Sequence, residues 1–217
     1  MFFIKNWYRF GAALFIALAI FLLANSGSMT NVQVIAVLNL LALFAHQFEE
    51  YQLPGGAPMI INRVVYDETK LADRYPGNSL SIMVVNVSAW IIYLFAILFS
   101  NLHWLVLGVT LFSLFQILGH VLQMNIKLKV WYNPGLATTV FLFFPLGTYS
   151  IVKMSSLGFL NGTTWFFAVL ILVACIGITI VAPVQLLKDK GTKYVISSWQ
   201  QKRFHQILSK CSVRMGK

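Results

Sequence analysis

Residues 32–56 read VQVIAVLNLLALFAHQFEEYQLPGG. The first fourteen are apolar apart from Gln33 and Asn39 and show no strand-like alternation. Such a run predicts a helix buried in protein or lipid. One histidine and two adjacent glutamates then close it. Glu49 and Glu50 are two of only six acidic residues in the chain. An ionised side chain at the centre of a membrane helix costs about 2.5–3.5 kcal/mol on insertion scales, and less near the interface. Something must offset both carboxylates. A bound divalent cation, protonation of one carboxyl or a histidinium partner would each do so.

The rest of the chain supports the membrane reading. It has 217 residues, of which 59% are hydrophobic and 10% charged, where soluble proteins carry about 25% charge. Six apolar segments lie near 10–25, 32–49, 80–100, 103–122, 135–154 and 163–187. A span needs to cross a hydrocarbon core of about 30 Å at about 1.5 Å per residue. Only helices or closed barrels satisfy their backbone in lipid. The expected fold is therefore all-α: a polytopic bundle of about six transmembrane helices over 1–187, followed by a basic tail over 188–217.

Lysine and arginine positions set the expected orientation. Lys5 and Arg9 precede the first segment, Arg63, Lys70 and Arg74 lie in the connection 50–79, and Lys127 and Lys129 separate segments four and five. The alternate connections carry none, except for Lys153 near an outer edge. Both termini are then expected in the cytoplasm, with the protein integral to a membrane, a bacterial plasma membrane, and its polar cluster facing the cytoplasm. Residues 1–26 also fit a signal peptide, but their apolar stretch is at the long limit for one, so an uncleaved helix is expected. The net charge of +10 does not point to nucleic acid. In the tail, cations mix with Trp199, Phe204, Ile207 and Leu208. This predicts an amphipathic helix on anionic lipid headgroups, with a disordered basic tail as the alternative. Cys175 and Cys211 form no disulfide framework. The connection 50–79 reads either as a partly folded lid lying on the membrane or as a solvated linker.

Offsets of three and four residues return to one helix face, so His46, Glu49 and Glu50 share a surface, with Asn39 on nearly the same stripe. Gln116, His120 and Gln123 share a face in segment four, and Asn125 follows. Asn86 lies about six residues into segment three, and segment five opens with Tyr132-Asn133-Pro134-Gly135. The expected topology brings all of these to the same depth on the cytoplasmic side. Histidine with carboxylate is a ligand set for zinc first, with manganese or iron as alternatives. His46 and Glu50, at i and i+4, would hold two coordination positions and His120 a third. Glu49 would be left as general base, by analogy of spacing with HxxEH peptidases. Asn39, Asn86, Gln116, Gln123, Asn125, Tyr132 and Asn133 would orient ligands or substrate. The same His–Glu pair also reads as a satisfied polar contact that fixes packing. Asn133-Pro134 also reads as an N-cap and first helical residue.

HQFEEYQLPGG resembles the signature of the HXXEE family, small multi-pass membrane proteins of uncharacterised function. That family's HxxxxN and YxPG patterns are matched by His120-Val-Leu-Gln-Met-Asn125 and Tyr132-Asn133-Pro134-Gly135. Its NxxxE pattern has no counterpart, since Asn86 is followed four residues later by Trp90. The resemblance implies one family pattern and no reaction. The function expected from the residues is a membrane-embedded, metal-dependent hydrolase acting on a lipid or other amphiphile at the cytoplasmic leaflet. Three readings stand beside it: a metal-free acid–base enzyme of the isomerase kind, a non-enzymatic cation- or ligand-binding membrane protein, and a packing or partner-binding protein.

Overall fold

Thr30 starts the central helix. Its hydroxyl accepts from the Gln33 N–H while the Gln33 side chain accepts from the Thr30 N–H, satisfying two donors that helix entry would otherwise orphan. Asn78 and Ser81 repeat this box at a second helix, and Asn161 caps a third. The computed structural model describes residues 1–213. Arg214 and Lys217 of the basic tail lie outside the described residues. Six helices are long and apolar enough to cross a membrane: α1 (Phe2–Ser28), α2 (Asn31–Tyr51), α4 (Ser79–Leu98), α5 (His103–Leu128), α6 (Leu136–Ser156) and α7 (Gly162–Leu187). The two shorter helices α3 (Ala57–Val64) and α8 (Ser198–Cys211) complete the set. The described residues hold no strand.

Burial ranks the helices. Two thirds of the apolar stretch of α2 is buried (67%), against 6% in α1. The axis of the bundle is therefore α2, and α1 lies at its edge. Ile35, Ala36 and Leu40 of α2 meet Ala89 and Tyr93 of α4 and Val106, Val109 and Phe112 of α5 in the main core. α1 begins at Phe2 rather than near residue 10, because its first turns have their own surface to bury. Trp7 is 2% exposed and packs edge-on to Tyr51 at 4.7 Å.

Three of the spans change pitch. Leu118–Met124 in α5, Thr139–Phe143 in α6 and Cys175–Val181 in α7 are π-helical. Such segments are rare and concentrate at functional sites. All three border the polar cluster or the cavity beside it, as described below.

The connection 50–79 is folded. Asn62, fully buried, donates to the carbonyls of Ala72 and Gly77 at 2.8 Å and accepts from the Gly77 N–H at 2.9 Å. The segment 187–200 crosses the same end of the bundle. Ser79 N–H donates to Tyr194 O and Ile196 N–H to Asp73 O, both at 2.8 Å. Gln200 of α8 accepts from the Gly56 N–H at 2.6 Å and donates to Tyr51 O at 2.8 Å. The glycine pair at 55–56 is thus an internal turn held by α8. The apolar face of α8 is buried against protein at Phe204 (1% exposed) and Ile207 (8%).

Asn62→Ala strands three backbone groups of the 62–77 turn. Each buried unpaired group costs about 1–3 kcal/mol. The expected outcome is a lower thermal midpoint and faster proteolysis within 65–77. Unchanged cleavage would mean that the turn is held by something else.

Candidate metal centre

The last turn of α2 carries His46 and Glu50 on one face, as their spacing requires. The π-helical stretch of α5 brings His120 opposite them. All three are buried, at 2%, 7% and 1% exposure. His46 Nε2 lies 3.7 Å from Glu50 Oε2, and His120 Nε2 lies 3.5 Å from Glu50 Oε1. One donor atom from each residue falls within 4.8 Å of the others. These separations exceed a hydrogen bond, which runs about 2.7–3.2 Å. They are close to the roughly 3.3 Å between ligands of a tetrahedral ion with bonds of about 2.0–2.1 Å. Among the described residues Glu50 has no hydrogen-bond partner, so a buried carboxylate faces two imidazoles without satisfying either.

The hydrogen bonds behind the imidazoles decide which nitrogen faces inward. Asn133 Nδ2 donates to His120 O and to Asn125 Oδ1. Its Oδ1 is therefore the acceptor for His120 Nδ1–H, at 2.7 Å. Thr138 Oγ1 donates to Glu49 Oε2 at 2.5 Å, which leaves it to accept from His46 Nδ1–H at 2.9 Å. Both imidazoles thus carry their proton on Nδ1 and present a bare Nε2 to Glu50. An oxygen partner on the far nitrogen is the usual support of a metal-ligating histidine. Gly135 sits between the rings with φ +99°, and a Cβ there would stand 2.8 Å from both His46 Cε1 and His120 Nδ1. Only glycine fits.

Glu49 points the other way. Its carboxylate accepts from Tyr132 Oη (2.7 Å), Ala137 N (3.1 Å), Thr138 N (2.7 Å) and Thr138 Oγ1. Two of these donors are the free backbone N–H groups that open α6, so Glu49 caps that helix from across the bundle. The expected role of base needs a carboxylate with a free oxygen, and both of its oxygens are engaged here. Asn133, which also reads from sequence as the N-cap, spends its side chain on His120 instead. Tyr132 lies outside the spans. Burial first, and then the Glu49 carboxylate, push its phenol well above the ordinary range and keep it a donor.

A cavity of about 320 Å³ opens beside the cluster, lined by His46, Glu50 and His120 but not by Glu49. Of the other residues singled out by sequence, Asn86, Gln116 and Gln123 line it as well. Asn125 and Asn133 stand behind His120, and Tyr132 behind Glu49. Asn39 is not brought to the cluster: it is buried higher in α2, donates to its own Ile35 carbonyl at 3.0 Å and accepts from Ser113 at 3.4 Å. Sequence reasoning missed Thr138 and Tyr51. The sequence signals were a pair of threonines that begins three residues past YNPG, and an aromatic directly after the glutamates.

A bundle of membrane-length helices with a buried His–Glu–His cluster at one end defines a polytopic membrane protein with a candidate ion site. The chain belongs to the family described as "Protein of unknown function with HXXEE motif", which matches residues 37–150, just over half its length. No curated protein and no solved structure matches it.

Two neighbouring substitutions separate the glutamates. Glu49→Gln turns an NH2 toward N–H and O–H donors, and each hydrogen bond to a charged group is worth about 1.5–3 kcal/mol. A clear drop in thermal midpoint in detergent is expected. Measured on chelator-treated protein, so that no bound ion contributes, Glu50→Gln, with no hydrogen-bond partner to lose, is expected to keep the wild-type midpoint. Equal midpoints for all three proteins would refute the capping role of Glu49.

Proposed function

We propose that the protein is a membrane-embedded, metal-dependent enzyme, a hydrolase by its donor set, working on a lipid or other amphiphile at the cytoplasmic leaflet. The observation that carries this reading is the pair of bare Nε2 atoms, held inward by Asn133 and Thr138, converging with an unpartnered Glu50 at ligand spacing. The ion is zinc by preference. Two imidazoles with one carboxylate also suit iron, and manganese accepts the same set. Bound there, it supplies Lewis acidity to an oxygen of the substrate.

The chain's own residues supply the rest. Glu50 has two oxygens and no other partner, so one oxygen is free to take a proton from the attacking water. Glu49 positions: it fixes Thr138, and Thr138 fixes the ring of His46. Gln116 and Gln123 border the cavity, where they can orient a polar head. The orientation follows from charge. Arg9 bonds Gln52 and Lys127 bonds the Val64 carbonyl, so the basic connections and the cluster share one end of the bundle. By the positive-inside rule that end, with both termini, is cytoplasmic, in a bacterial plasma membrane. The cations of α8 lie at that end, within reach of anionic headgroups.

Metal content by mass spectrometry tests the reading on detergent-purified protein, wild type beside His46→Ala and Glu50→Ala. Near-stoichiometric zinc, manganese or iron in the wild type, lost in both variants, is expected. Asn133→Ala should weaken metal affinity about 10- to 100-fold while leaving the three ligands in place. Folded wild-type protein without metal, even after incubation with each ion, would remove the metal reading and leave proton transfer by Glu50 and its histidines.

A further inference from the structure

The cavity has room for on the order of ten water-sized groups, at roughly 30 Å³ each. Away from the cluster its wall is mostly apolar, with Ala89, Phe112, Ile176, Ile180 and Val184 among the lining residues. No lysine or arginine lines it. Sites for phosphate or carboxylate headgroups recruit such cations, and an anionic head would meet no cationic side chain in this wall.

Unspent hydrogen-bond donors stand at the same end. Tyr51 lines the cavity and is 3% exposed. Its hydroxyl oxygen accepts from Asn86 Nδ2 at 3.1 Å, and its proton has no acceptor among the described residues. A buried O–H is rarely left unpaired. The Gln116 amide also lines the cavity and has no hydrogen-bond partner among the described residues.

We infer that the cavity binds an uncharged amphiphile, with an apolar body and a head bearing a neutral oxygen such as an ester, ketone or alcohol, and that the Tyr51 hydroxyl donates to that oxygen. This names the substrate class of the site proposed above and rests on that reading for what happens to the bound molecule, not for its binding.

The test is photo-crosslinking to the full chain in nanodiscs of zwitterionic lipid. The probes are a monoacylglycerol with a diazirine in its chain and a lysophosphatidate with the same chain. The neutral probe is expected to label peptides covering 82–89 and 176–184, with about tenfold less labelling by the anionic one. Tyr51→Phe keeps the ring packed on Trp7 and should reduce neutral labelling about 2- to 10-fold, the worth of one net hydrogen bond. Gly119 lines the cavity and a Cβ there meets no atom within 4 Å, so the side chain added by Gly119→Leu starts in open space, and by filling the cavity it should abolish labelling. Labelling elsewhere only, or labelling by lysophosphatidate at least as strong, would overturn the proposal. Undiminished labelling of Tyr51→Phe would overturn the role of Tyr51. Metal is measured in the same samples. Labelled protein without metal removes the metal-dependent reading and keeps this one, and metal-loaded protein with unlabelled cavity peptides does the reverse.

Discussion

The carboxylate of Glu49 holds two helices and a histidine in one arrangement. It sits at the end of α2 and accepts from the Ala137 and Thr138 backbone that opens α6 and from the Thr138 and Tyr132 hydroxyls. A buried carboxylate without partners would be expelled or neutralised. With these donors it is solvated by the protein itself. Thr138, fixed on one side by Glu49, fixes His46 on the other. Asn133, a few residues before, fixes His120. Both rings are therefore oriented from the segment 132–138, and Gly135 between them leaves the space they occupy.

Adjacent residues on a helix diverge by about 100°, and this divides the labour between the glutamates. One turns to α6 and spends its charge on structure. The other turns to the cavity and the two imidazoles, where it has no hydrogen-bond partner among the described residues. The pair reads as one acidic patch in sequence and as two separate devices in space.

Much of this was legible beforehand. The six apolar runs specify the bundle, and the i, i+4 spacing with alternating basic connections brings His46, Glu50 and His120 to one level. What was not legible depends on helix rotation and on satisfied partners. Which of Glu49 and Glu50 faces the cavity depends on neighbours that the periodicity of α2 cannot name. Asn39 shares the stripe of His46 by spacing, yet it is satisfied by the Ile35 carbonyl four residues before it, a local option always open to asparagine. Thr138 reads as an ordinary helix residue until Glu49 is beside it. An amphipathic tail shows an apolar face without saying whether lipid or protein will cover it. In α8 that face meets α3 and the 128–132 segment.

Gln200 bonds Tyr51 across 149 positions of chain and Gly56 across 144. A ribosome adding about 5–20 residues per second makes the turn at 51–56 long before it makes its clasp. The histidine and glutamates of α2 enter the membrane with their floor unfinished, and α8, made later, finishes it. Assembly of the site is thus a late event, set by synthesis of α8 rather than by insertion of the helix that carries His46 and Glu50.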